Sequence, residues 1–162
     1  MSPNFSSEVD SLLKTVGIKP ESVEFEVTET AFAPNDTKEV GVLTQLKALG
    51  IHLAIDDFGT GFTSFNQLIA FPFDTLKIDK TFVDQILNDS SSGNEMVDVL
   101  YRLAQSYSLK VVAEGVETNE QVKVLSELGC NYLQGYYFSE PVPESEVVYV
   151  AKRFRASVSR LA

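Results

Sequence analysis

Cysteine is nearly absent from this chain of 162 residues: Cys130 stands alone. A single thiol can form no internal disulfide and no thiolate cage for a metal, so it reads as a core filler after Gly129. Histidine is as scarce, and His52, the only one, sits on a strand where it is expected to pack rather than bind. Basic residues are outnumbered, 13 against 23 acidic ones, for a formal charge of −10. That balance argues against duplex nucleic-acid binding, which needs a basic surface to release counterions. Lys152, Arg153 and Arg155 therefore read as a solvated helix face, while a small anionic ligand held through metal stays open. No apolar run is long enough to span a bilayer, and MSPNFSSEVD has neither the basic start nor the apolar core of a signal peptide. The expectation is a cytoplasmic setting, with no membrane segment. At 44% hydrophobic residues the chain can bury the core of one domain.

Against those absences stands a repeated pattern. Five times a short apolar run ends in a charged or amide side chain and gives way to a turn and then a helical stripe: Glu26 in FEVTET, Asp56 and Asp57 in AIDDFGTG, Lys77 and Asp79 in TLKIDK, Glu114 and Glu117 in VVAEGVE, and Gln134 in YLQGYYF. Between them, Val9, Leu12, Leu13 and Val16 form a helical stripe closed by Gly17, and Val40, Leu43 and Leu46 form another closed by Gly50 after a cap at Asn35 or Asp36. A short helix is expected around 64–69, and a polar loop over 89–94. Val97, Leu100, Leu103, Ala104 and Tyr107 make a further stripe, Thr118 with Gln121 reads as a capping box, and residues 143–156 read as a closing helix.

Strands that each precede a helix describe a β/α series, whose catalytic groups gather where the strands end. Five units are too few to close a barrel. The fold class is therefore α/β: an open sheet, or a partial TIM-type barrel of about five β/α units.

A rim with that many carboxylates must protonate or recruit cations. All the candidate ligands are oxygen donors, which favours Mg²⁺ or Mn²⁺ over Zn²⁺ or Cu²⁺. The alternation of Val23, Phe25 and Val27 with Glu24, Glu26 and Thr28 turns Glu26 away from the apolar face, and Lys77 shares its parity with Asp79. Taken singly, Asp79 and Glu117 fit a helix cap or a solvated loop charge at least as well as a site role.

The strings EVTE, IDDFGTG, KID, AEGVE and QGYYFSEP, in that order, resemble the EAL domain of cyclic di-GMP-specific phosphodiesterases, from about the first residue to about Pro141. The resemblance implies a modified TIM barrel in which two divalent cations activate a water that opens cyclic di-GMP to linear pGpG. It implies Glu26 and Asp56 as metal ligands, Asp57 as a ligand of the second metal, and Glu114 as a metal-associated acid near the attacking water held by Lys77. Asp79, Glu117 and Gln134 would be further site or substrate-contacting groups. Glu29 would anchor the loop 58–65, where Gly59 and Gly61 allow positive φ. Independently of the resemblance, the aromatic run Tyr136, Tyr137 and Phe138 offers rings for a guanine to stack on, Tyr136 as the substrate-contacting one, with core packing expected for at least one of the three.

This stretch also departs from the family pattern. The Glu-Ala-Leu string, a metal-binding Asn and the arginine that usually follows the signature are not in these residues; Asn4 lies on the wrong side of Pro3 to be that Asn, and Glu140 stands where a basic residue is common. The chain is accordingly read as a single truncated EAL domain over 1–162, weakly active or inactive by itself. The alternatives are a silent derivative that binds nucleotide or protein, and an unrelated acid-rimmed enzyme of the enolase kind, against which the DDFGTG loop speaks. Exposed strand edges beside an apolar inner face lead to the expectation of a homodimer or swapped assembly.

Overall fold

A computed structural model of the chain describes residues 4–28, 37–59, 71–87, 92–130 and 132–158. The chain runs α1 (Phe5–Val16), a 3-10 turn (Pro20–Ser22), β1 (Glu24–Thr28), α2 (Thr37–Ala48), β2 (His52–Phe58), β3 (Thr75–Ile78), α3 (Lys80–Val83), α4 (Ser92–Ser106), β4 (Lys110–Ala113), α5 (Asn119–Glu127), β5 (Tyr132–Leu133) and α6 (Glu144–Val158). All strand pairs are parallel, and the sheet order β1-β2-β3-β4-β5 follows the chain. A β/α series produces this arrangement, since each crossover connection returns the chain to start the next parallel strand beside the last.

Local signals place the ends of the helices. Gly17 ends α1 in the left-handed region at φ 71°, donating to the Leu13 carbonyl. Thr118 and Gln121 form the capping box of α5, each side chain accepting from the other's end of the turn. Residues 92–94 of the expected polar loop are helical, because α4 begins at Ser92, and residues 89–91 lie outside the described residues. The cap at Asn35 or Asp36 and the short helix at 64–69 lie outside the described residues.

The core fills the space between one face of the sheet and the helices. Leu53 and Ile55 of β2, Leu76 and Ile78 of β3 and Val111 and Ala113 of β4 pack with Leu43 and Leu46 of α2, Val97, Leu100 and Ala104 of α4, and Leu125 of α5. Each fully buried Leu, Ile or Val contributes about 1.5–3 kcal/mol relative to exposure, so this layer holds the strands in register. Cys130 belongs to it. Where β2 and β3 begin, Asp74 accepts from Lys47 Nζ at 2.6 and 2.8 Å and from the Leu53 N–H at 2.9 Å. His52 Nδ1 lies 3.5 Å from Asp74 Oδ2 without forming a hydrogen bond.

The other face of the sheet is polar, which corrects the expected apolar inner surface. Thr75 Oγ1 donates to Glu24 Oε2 at 2.7 Å, and two residues further along each strand Lys77 meets Glu26. Strand alternation puts these four on one face, where Ala54 and Val112 are their apolar register partners. Exposed apolar side chains are spread over Leu12, Val16 and Ile18 at α1, Met96 and Val99 of α4, Tyr132 and Tyr136, and Val147, Val148 and Tyr149 of α6.

Candidate functional site

Strand register brings the acidic residues together. Glu26 lies opposite Ala54 and Thr28 opposite Asp56 across β1 and β2. Between β2 and β3 the pairing runs Ile55 to Leu76 and then Phe58 to Ile78. Asp56 and Asp57 therefore face Lys77 alone, a β-bulge that breaks the alternation by which neighbours point to opposite faces. Asp57 carries the bulge at φ 55°, a left-handed conformation that aspartate tolerates better than most residues, and its N–H donates to Asp56 Oδ1 at 3.1 Å. Gly59 follows at φ 94°. Glu114 comes directly after β4, fixed by its N–H to the Ile78 carbonyl at 3.0 Å.

Lys77 Nζ stands where these side chains meet. It lies 2.7 Å from Glu26 Oε1, 2.8 Å from Glu114 Oε1 and 3.2 Å from Asp56 Oδ1, and the lysine is only 6% exposed. Burial alone would pull the ammonium's pKa down, but the hydrogen bonds it donates to Glu114, Glu26 and Asp56 outweigh that and raise it well above the ordinary value. Glu114 is shifted up: its burial, with the charges of Asp56 and Glu26, exceeds what Lys77 returns. The two partners thus shift as one cation shared among three carboxylates requires. Asp57 is raised as well, by burial and then by Asp56 and Asp79.

The remaining candidates sit around this centre. Asp79 caps α3, accepting from the Thr81 N–H at 2.9 Å and the Thr81 hydroxyl at 2.5 Å, and its charge is felt at Asp57. Burial raises its pKa, and the Thr81 hydrogen bonds more than reverse that. Glu117 and Gln134 line a cavity of about 370 Å³ with Lys80, Glu114, Gly115, Gly135 and Tyr136. Tyr136 is 62% exposed, whereas Phe138 packs on the core and Tyr137 bonds Asn119 Oδ1 at 3.1 Å. Glu29, Gly61 and loop residues 60–65 lie outside the described residues.

Sequence reasoning passed over two residues here. Lys80, one place beyond Asp79, reaches Glu117 Oε1 at 2.7 Å. Gln121, noticed only as a cap, holds the 114–117 turn by accepting from the Glu117 and Thr118 N–H groups at 2.7 and 3.0 Å. The Lys80–Glu117 contact spans 37 positions and has no short-range signature, whereas the Gln121 contacts are local and extend the capping box its sequence already signals.

Three carboxylates on one ammonium, with Asp57 beside them, leave an excess of negative charge, and every donor is a hard oxygen. That chemistry suits a divalent cation of the Mg²⁺, Mn²⁺ or Ca²⁺ kind. Among the described residues no three acidic, imidazole or thiol groups enclose a cation position by themselves; the carboxylate oxygens converge on Lys77 Nζ.

Comparison with known proteins points the same way. The profile of the EAL domain matches residues 1–141. Cyclic di-GMP phosphodiesterase RocR of Pseudomonas aeruginosa is 38% identical over 139 residues, which cover 86% of this chain and 35% of that protein. The PaMucR phosphodiesterase, solved as a c-di-GMP complex, is 36% identical with a TM-score of 0.81, covering 91% of this chain and 62% of that one. Klebsiella pneumoniae BlrP1, solved with manganese and c-di-GMP, is 34% identical with a TM-score of 0.79, covering 86% and 36%. The chain spans 17–35% of the length of the curated relatives it matches.

Proposed function

The chain belongs to the EAL domain family, and on that premise we propose that it hydrolyses one phosphodiester bond of cyclic di-GMP to give linear pGpG. Its five parallel strands are part of a TIM-type barrel. The convergence of Glu26, Asp56 and Glu114 on Lys77, with Asp57 brought alongside by the bulge, is the observation that carries this reading.

Glu26, Asp56, Asp57 and Glu114 would hold Mg²⁺ or Mn²⁺. Bound there, the cations would neutralise charge on the phosphoryl oxygens and make water acidic enough to lose a proton near neutral pH. Lys77, always charged in this setting, donates hydrogen bonds that orient the attacking water. Glu114, its proton affinity raised by burial, is suited to proton transfer near the reacting phosphorus. Water adds to phosphorus, one P–O bond breaks, and the leaving ribose oxygen takes a proton. Asp79, Glu117, Gln134 and Tyr136 contact the substrate, with Tyr136 presenting an exposed ring to a base; Glu29 anchors the loop after Asp57.

These residues carry no Glu-Ala-Leu string, so turnover by the 162 residues alone is expected to be slow, because placement tolerances in such chemistry are tight. A second reading, a silent module that binds nucleotide or protein, is favoured by a different observation: among the described residues no three acidic, imidazole or thiol groups enclose a cation position. Hydrolysis of cyclic di-GMP with added Mn²⁺, followed by chromatography, separates the two. Slow pGpG formation that Asp57→Asn abolishes supports the phosphodiesterase; ligand binding with no pGpG supports the silent module. We further propose a cytoplasmic setting and self-association through the sheet edges at β1 and β5.

A further inference from the structure

The 114–117 turn, which presents Glu114 to Lys77, is strapped from outside by one side chain. Lys80, the first residue of α3, lays its methylenes across Gly115. A Cβ at position 115 would fall 2.3 Å from Lys80 Cγ and 2.5 Å from Lys80 Cβ, and Gly115 has φ 68°. Space and backbone conformation each require glycine there. Past Gly115 the Lys80 ammonium donates to Glu117 Oε1 at 2.7 Å and to Asp84 Oδ1 at 3.2 Å. Lys80, Gly115 and Glu117 line the same cavity as Glu114, Gln134 and Tyr136.

We propose that Lys80 is a positioning residue for the rim: its stem clamps the turn so that Glu114 stays on Lys77, and its ammonium aims Glu117 into the cavity. The catalytic half of the proposal rests on the phosphodiesterase reading; the structural half does not. The two halves of the side chain act separately. The stem lies against Gly115, next to Glu114, while the ammonium reaches Glu117 and Asp84. The ammonium meets Glu117, a group at the cavity wall. An exposed ion pair of this kind adds little to global stability, so its removal acts on the turn and not on the fold.

Three variants separate the parts: Lys80→Met keeps the stem, Lys80→Ala removes both, and Lys80→Arg keeps both. Amide hydrogen exchange of the 162-residue chain reads the strap directly. In Lys80→Ala the Val116 and Glu117 amides are expected to exchange about ten-fold faster while those of β2 and β3 are unchanged; Lys80→Met and Lys80→Arg should stay near wild type. In Mn²⁺-dependent turnover, Lys80→Met should raise KM by about five-fold at nearly constant kcat, Lys80→Ala should also lower kcat by about ten-fold, and Lys80→Arg should restore both. Wild-type exchange rates in Lys80→Ala would overturn the clamp. An unchanged KM in Lys80→Met would overturn the aiming of Glu117. If the wild type forms no pGpG, the phosphodiesterase reading falls, and the exchange rates still decide whether Lys80 holds the turn.

Discussion

Replacing Lys77 with Met tests whether the rim is held by charge. The side chain is 6% exposed and bridges three carboxylates, of which Asp56 and Glu114 are under one-fifth exposed while Glu26 is half exposed. Breaking a buried pair by removing one partner costs about 3–5 kcal/mol, whereas an exposed partner adds at most about 1 kcal/mol. The site lies between these limits, so Lys77→Met should lose about 3 kcal/mol at pH 8, equivalent to a Tm lower by about 10 °C for a chain of this size. The loss must depend on pH. Without the ammonium, nothing offsets the burial and the neighbouring charges that already raise Glu114, so the folded state binds more protons and stability recovers as pH falls toward 5. Added Mn²⁺ should recover it too, by about 2.7 kcal/mol at a hundred times its dissociation constant. Urea melts at pH 8 and pH 5, with and without Mn²⁺, provide the measurement. A loss below about 1 kcal/mol, or one that is the same at both pH values, would refute the shared-cation account.

Asp74 offers an opposite pH signature: burial raises its pKa, but Lys47 and the Leu53 N–H lower it further, so its folded value lies below the unfolded one. That contribution is present above the unfolded pKa and is lost as pH falls through the folded one, so Asp74→Asn should be less stable than wild type by about 1 kcal/mol at pH 7 and converge with it below pH 4 in denaturant melts. Burial pushes the Cys130 thiol up to about 11, so the folded chain should react with a thiol reagent at pH 8 far more slowly than in urea; equal rates would show that Cys130 is accessible. Light scattering across protein and salt concentration should show a mass near twice 17.9 kDa, because β1 and β5 each leave an edge; a strictly monomeric mass would remove the edge-pairing proposal.

The alternation of apolar runs with helical stripes was enough to predict five strands and an α/β series, because burial against helices imposes that pattern on each strand separately. Leu53, Ile55, Leu76 and Ile78 are buried for the reason their spacing suggests. Gly17 and the Thr118–Gln121 box were legible too, since a cap is made by residues within a few positions of one another. The chemical character of the rim was equally readable, as oxygen donors at strand ends. Only the assembled sheet decided how those donors meet. Strict alternation would send Asp56 and Asp57 to opposite faces, and the bulge that sets both against Lys77 exists only in the pairing of β2 with β3. Lys77 as the meeting point of three carboxylates and Lys80 lying over Gly115 are likewise contacts between distant positions, whereas the Asp79 cap of α3 is local and was among the readings its sequence offered. Such contacts carry no periodicity, so a linear pattern of apolar and charged residues contains no trace of them. The polar inner face follows the same rule. Glu24 and Thr75 are separated by 51 positions and become partners only when the register of three strands brings them side by side.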